Sequence, residues 1–399
     1  MHELHFVSHT HWDREWYQPS GRFRQRLVAL VDALLDDPPT GAASFLLDGQ
    51  GIVLEDYLAV RPERGAELAT LLRAGRLEAG PWYVLADELI PSGEALVRNL
   101  LAGRRVLRAL RAESPPVLYC PDSFGHPAAL PAIAAGFGFP LVMLWRGYGG
   151  ARWPAGDSAR WCAPDGSCAA LWHFPPDGYE AGSNLPADEA GAAARWPSLR
   201  EALLARATRG VSLLPNGADH HARQPRLEAA VAALAQAMQG EATLVRSSLR
   251  SFAAALLARD AALPEVRGEL RDSYGYTWTL QGTFATRAAQ KRANAHVERL
   301  LLREAEPWSA LARLHGGPSR RALVHAAWKA LLACHPHDTL CGCSIDEVAR
   351  AMDARLEDAA TQARGIAGDA LLDLAAHDPA AAREARDGWR PVLLARNAA

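Results

Sequence analysis

Four short stretches of this sequence carry residue types that do chemistry. The first is SHTHWDREWY at 8–17, where two histidines, two carboxylates and three large aromatics follow an apolar run. In an extended segment residues two apart point to the same side, so His9, His11 and Asp13 would share a face. Imidazole nitrogen and carboxylate oxygen are good zinc ligands, and α/β folds place their sites at strand ends. A polar loop whose histidines bond to backbone is the other reading of this spacing.

The second stretch is CPDSFGHP at 120–127, where Asp122 ends an apolar run just before a turn. Asp suits a helix N-cap, and equally a catalytic position at the C-terminal end of a strand. The third is LLPNGADHHARQP at 213–225, in which Asp219, His220 and His221 follow a Gly-containing turn. Such a cluster is also what a satisfied turn looks like. The fourth is CHPHDTLCGC at 334–343, with His335 and His337 bracketing a proline and Asp338 next. Cys341 and Cys343 suggest a zinc finger, but no second Cys pair stands at a suitable spacing. Taken together, histidines and aspartates at the turns of separate units are what a convergent metal and carboxylate site needs.

The elements that must position these residues come next. Apolar runs at 4–9, 43–49, 116–122, 140–147, 168–174, 211–217 and 242–248 read as strands. Amphipathic stretches at 21–35, 93–112, 126–136, 198–207 and 225–238 lie between several of them. That alternation predicts βα units and a parallel sheet. Its strand count suits a barrel-like α/β domain, with an open sheet as the alternative. Helical periodicity then dominates 281–314, 319–334 and 344–376, as in a bundle of about three helices. The final GWRPVLLARNAA reads as the first strand of a further region.

Composition excludes several classes. The 399 residues can bury a large core, and their formal net charge of −2 leaves no basic footprint for nucleic acid or an anionic membrane. No apolar run is long enough to span a bilayer. The N-terminus lacks the basic and apolar regions of a signal peptide. The six cysteines are too few for a disulfide framework in a chain this long, so all are expected to be reduced and the protein cytoplasmic.

The motifs resemble, in order and along nearly the whole chain, the family 38 glycoside hydrolases, retaining zinc-dependent α-mannosidases, and particularly their bacterial branch. The carriers are SHTHWDREWY, AGPWYVLADELIPSGEALVRNLLAG (79–103), PDSFGHPAALPAIAAGFGF (121–139) with LWRG, LPNGADHH, LQGTFATRAAQKRANAHVERLLLREAE (280–306) and HPHDTLCGCSIDEV (335–348). The resemblance implies an irregular seven-stranded parallel β/α barrel over 1–265, a three-helix bundle over 266–385, and at 386–399 the start of a truncated or absent β-rich region. It implies that His11, Asp13, Asp122 and His337 bind Zn2+, with Asp122 also the nucleophile, Asp219 the acid/base and His9 behind the ligands. Trp12, Trp82 and Asp338 are the residues expected against substrate, and Trp16 and Tyr83 are further candidate stacking surfaces. The chain departs from many relatives at Cys341-Gly342-Cys343, where they carry Pro-Gly-Ser.

The implied reaction is hydrolysis of α-mannosides with retention. Asp122 would form a mannosyl ester and the metal would hold the sugar hydroxyls. The expected partners are a mannose-containing oligosaccharide or glycoside and a second polypeptide, either another copy or one supplying the β-rich part. Two rivals remain from the residues alone: a zinc-dependent polysaccharide deacetylase or amidohydrolase, and a non-catalytic carbohydrate-binding remnant.

Overall fold

In a computed structural model, which describes residues 2–384 and 390–397, the chain forms a mixed α/β fold followed by long helices. Ten strands are present among the described residues: β1 (His2–His9), β2 (Phe45–Leu46), β3 (Leu77–Glu78), β4 (Val117–Cys120), β5 (Leu141–Leu144), β6 (Ser158–Cys162), β7 (Cys168–His173), β8 (Val211–Asn216), β9 (Ala242–Arg246) and β10 (Glu265–Arg267). They form two five-stranded sheets. The first runs β3-β2-β1-β8, with β9 also on β1, and all its pairings are parallel. The second runs β10-β6-β7-β5-β4 and is parallel except between β6 and β7.

This differs from a single seven-stranded parallel barrel. The seven expected strands are present, and β3, β6 and β10 are additional. Their signals are weak for physical reasons. β3 is two residues long, and β6 and β10 interleave Arg160, Glu265 and Arg267 with apolar residues, as strands with one solvated face do. β1 is central, paired with three neighbours, and its last six residues are buried. That burial on both faces explains the unbroken apolar run of a parallel strand.

The antiparallel β6–β7 pair corrects the expectation of reduced cysteines. Its register sets Cys162 directly opposite Cys168, and their sulfurs are bonded at 2.04 Å. Cys120, Cys334, Cys341 and Cys343 are thiols.

Helices connect the strands with orthodox caps. Ser92 Oγ accepts from the Ala95 amide at the start of Gly93–Ala109, and Ser248 Oγ accepts from the Ser251 amide before Leu249–Leu257. Beyond β10, Ala288–Arg299 continues through a wider turn into Glu306–Leu314. This rod packs with Arg321–Leu332 and the long Asp346–Leu374. The last of these buries Val348, Met352, Leu356, Ala363 and Ile366, a stripe at helical spacing. One apolar core joins these helices to the α/β part: Trp328, Leu331 and Leu356 share it with Phe23, Val53 and Val84. Residues 390–397 form no strand, and the rest of the expected C-terminal strand lies outside the described residues. No helix among the described residues is long and apolar enough to cross a membrane.

Candidate metal and carboxylate site

Four loops bring the predicted residues together. The loop after β1 carries His11 and Asp13. Asp122 follows β4, which ends two residues earlier. Asp219 follows β8 and is tied to the first loop by backbone bonds: His11 N donates to Ala218 O at 3.2 Å, and His220 N donates to His11 O at 2.8 Å. Gly217 permits this approach, since a Cβ there would stand 2.0 Å from His9 O. His337 comes from the helical part and begins the short helix His337–Cys341. Two backbone bonds pin it to the α/β part, His337 N to Leu85 O at 2.9 Å and Asp87 N to His335 O at 3.0 Å.

His11, Asp13 and His337 converge at one point and are almost fully buried. Asp13 Oδ1 lies 3.1 Å from His11 Nε2 and 3.3 Å from His337 Nε2. Asp122 Oδ2 is 3.4 Å and Asp338 Oδ2 3.5 Å from the same His337 nitrogen. These atoms are close enough to attract, yet His11 Nε2, Asp13 Oδ1 and His337 Nε2 make no aligned hydrogen bond. His337 Nδ1 faces Leu85 O at 3.2 Å, and as the N–H donor there it leaves the Nε2 lone pair facing three carboxylates. Only a positive charge among them makes that arrangement favourable. Burial draws the pKa of His11 down, but Asp13 and Asp48 outweigh it and raise it well above the ordinary histidine value. For His337, burial is likewise outweighed, with Asp338, Asp122 and Asp13 raising it. The convergence of imidazole and carboxylate donors whose inward atoms make no hydrogen bond fits a divalent metal such as zinc, whose binding would displace the imidazole protons.

The two catalytic candidates have opposed environments. Burial pushes the Asp122 carboxyl up, but Arg146, whose Nε donates to Oδ1 at 2.6 Å, together with His337 brings it below the usual range. Asp219 is partly buried and its carboxyl is raised. Burial is the main cause, His11 opposes it, and the negative charges of Asp13 and Asp122 add to it. Tyr179 Oη donates to Asp219 Oδ1 at 2.9 Å and its ring lies 4.7 Å from that of His11.

Four expectations need correction. His9 does not share a face with His11 and Asp13. The strand stops at His9, so the alternation stops too, and His9 Nε2 donates to Tyr179 O at 2.8 Å behind the site. Trp82 is 1% exposed within an apolar core, with Nε1 donating to Tyr119 O, and offers no face to a sugar. Trp12 is 2% exposed, its ring set edge-on to Phe23 and His220. Tyr83 is also buried, and its hydroxyl donates to Glu55. Asp338 does lie at the site, through Oδ2.

Three residues at the site were not singled out from the sequence. Asp48 Oδ2 sits 3.2 Å from His11 Nδ1 and accepts from Trp12 N at 2.8 Å, which fixes the imidazole from behind. It ends the apolar run at 43–49, the same signal that marked Asp122. Arg146 lies at the end of the run at 140–147, just before Gly147. Tyr179 lies in a short turn, Gly178–Glu180, with no sequence signal.

With this geometry in view, the comparisons are specific. Residues 1–287 match the family model described as glycosyl hydrolases family 38 N-terminal domain, and residues 278–374 match the alpha mannosidase middle domain. A Halalkalibacterium halodurans protein provisionally named as a mannosylglycerate hydrolase is 34% identical over 88% of this chain and 40% of its own length. Human alpha-mannosidase 2C1 is 25% identical over 95% of this chain and 36% of its own. The crystal structure of an alpha-mannosidase from Enterococcus faecalis superposes with a TM-score of 0.89 at 33% identity, covering 94% of this chain and 43% of that one. The chain thus spans less than half the length of these relatives. The match of its first 287 residues to the family's N-terminal domain places the chain in glycoside hydrolase family 38.

Proposed function

We propose that this chain is the catalytic part of a zinc-dependent α-mannosidase that hydrolyses α-linked mannosides with retention. The observation that carries the reading is the convergence of His11 Nε2, Asp13 Oδ1 and His337 Nε2, unbonded to one another, with Asp122 Oδ2 beside them. His11, Asp13, Asp122 and His337 would hold the metal. When bound, zinc supplies a Lewis-acidic anchor for sugar hydroxyls. The names of the relatives point to mannosides as the substrate class.

The residues then divide the work. Arg146 holds Asp122 ionised and fixes one of its oxygens. A carboxylate oxygen of Asp122 bonds to the anomeric carbon as the glycosidic bond breaks. Asp219, its carboxyl raised by burial, passes its proton to the departing oxygen. In the second half Asp219 takes a proton from water, the water oxygen bonds to the anomeric carbon, and the ester to Asp122 breaks. This sequence inverts the anomeric centre twice, giving retention, and calls for carboxyl groups about 5–5.5 Å apart.

A fluorinated mannosyl donor tests the reading. Its slow turnover should leave one mannosyl group on the peptide containing Asp122. A zinc deacetylase, which activates water directly, would carry no label, and label on any other residue would reassign the nucleophile.

A further inference from the structure

The metal and carboxylate site leaves the Cys341-Gly342-Cys343 stretch unexplained. Cys341 ends the short helix that begins with His337 and Cys343 lies two residues beyond it, and a sulfur from each lies within 4.8 Å of the other and of an Asp338 oxygen. Cys343 Sγ donates to Asp338 Oδ1 at 3.0 Å. The Cys343 amide donates to Cys341 Sγ at 3.4 Å, so the chain doubles back between them. Gly342 makes that bend possible. Its φ is +91°, and a Cβ there would meet Thr286 Oγ1 at 2.7 Å. Cys341 is fully buried and Cys343 partly exposed. From its other side the Lys291 ammonium donates to Cys341 O at 2.8 Å, placing a fixed cation against the pair.

We propose that Cys341 and Cys343 form a reversible thiol–disulfide site for small-molecule disulfides of the oxidised-glutathione class, whose oxidation releases Asp338 Oδ1 from its thiol donor. The hydrogen bond to Cys341, then burial and the Asp338 charge, favour the thiol form of Cys343, so it first gives its proton to solvent. The exposed thiolate then attacks one sulfur of the small disulfide, and the other half leaves and is protonated. Cys341 then attacks the Cys343 sulfur, its own proton passes to solvent or to the leaving thiolate, and the second small thiol departs. The protein loses two hydrogens and gains one S–S bond, while one small disulfide becomes two thiols. The pair sits close enough for this exchange. It needs a rotation of the side chains to reach bonding distance, near 2.05 Å. A second metal at the same three groups is the competing use, and the Lys291 ammonium disfavours it.

The chemistry is independent of turnover; its consequence for catalysis rests on the reading of the site as a mannosidase. The test incubates the purified full chain with oxidised glutathione and weighs it intact. Wild type should lose two hydrogens without keeping glutathione, its thiol count should fall from four to two, and peptide mapping should place the link between 341 and 343. Cys341→Ala should keep glutathione on Cys343, because no resolving thiol remains, and Cys343→Ala should not react. A dithiol reductant should return free thiols at 341 and 343 in the peptide map. A wild-type protein that stays unmodified, that keeps the adduct, or whose two thiols are shielded until a chelator strips a second metal would overturn the proposal. If the mass result holds and kcat/KM on an aryl mannoside falls several-fold on oxidation and recovers on reduction, the link to Asp338 stands. Unchanged kcat/KM in the oxidised protein would refute that link alone. No hydrolysis in either state would refute the mannosidase reading and leave the thiol exchange intact.

Discussion

His11 and His337, from opposite ends of the sequence, each set Nε2 within 3.3 Å of one oxygen, Asp13 Oδ1. The α/β part and the helical part therefore share a single centre. The residue between the two imidazoles is the one whose loss should be felt by both.

Asp13→Ala should accordingly lower bound zinc from about one equivalent to well below half, measured by elemental analysis after dialysis. Metal binding stabilises the folded state by mass action, about 4 kcal/mol at a thousandfold excess over Kd. Chelator should then lower the unfolding midpoint of wild type much more than that of the variant. Equal midpoint shifts would mean that these groups hold no metal.

Asp122→Ala should abolish turnover while leaving the fold. The side chain lies at a strand end, bonded to Arg146 rather than packed in a core. Loss of a covalent nucleophile should cost at least about 10³ in kcat, roughly 4 kcal/mol at 1.36 kcal/mol per tenfold. Circular dichroism and zinc content separate this from misfolding. A folded variant that keeps a tenth of wild-type kcat would rule Asp122 out as nucleophile.

The parts of this centre singled out from sequence were His11 and Asp13 after β1, Asp122 after β4 and Asp219 after β8, where residue type and strand end coincide, together with His337 and Asp338 where a short helix begins. Asp48 obeyed the same rule and was missed only because its neighbours carry no second ligand type. Arg146 and Tyr179 act through the partner each meets in space, Asp122 and Asp219, and nothing local in their sequence reports those partners. The tryptophans failed for the opposite reason. Aromatic type suggests both a sugar platform and a core, and the cores around Trp12 and Trp82 won. The disulfide depended on an antiparallel register between two strands, of which only β7 had a clear apolar pattern.

His173 should make the protein less stable in acid. Burial, then the charge of Arg206, hold its pKa down to about 3, against an ordinary 6.5. Between those values the unfolded chain binds a proton that the folded chain refuses, so stability falls as pH falls. The slope is at most about 1.4 kcal/mol per pH unit from one such group. His9 and His335, lowered to about 4 and about 3, act in the same direction. Urea unfolding at pH 7 and pH 5 should show wild type losing more stability than His173→Asn, even though the variant starts lower. Parallel losses would mean that His173 does not stay neutral.

Asp219 and Tyr179 allow the acid/base assignment to be tested twice. Asp219→Ala should slow a natural disaccharide by about 10²–10⁴, the usual contribution of a general acid. An aryl mannoside with an acidic phenol needs little protonation on departure. It should still form the ester on Asp122 and then stall, because no base remains to activate water. Azide needs no deprotonation, so it should restore turnover and give the α-mannosyl azide, the retained product. Tyr179→Phe tests the same residue more gently. The tyrosine hydroxyl donates to Asp219 Oδ1 and favours the ionised form. Without it the carboxyl should hold its proton to higher pH, so the basic limb of kcat/KM should move upward while the acidic limb, set by Asp122, stays in place. If azide does nothing, both substrates slow alike and the basic limb is fixed, Asp219 is a turn residue and the proton comes from another group.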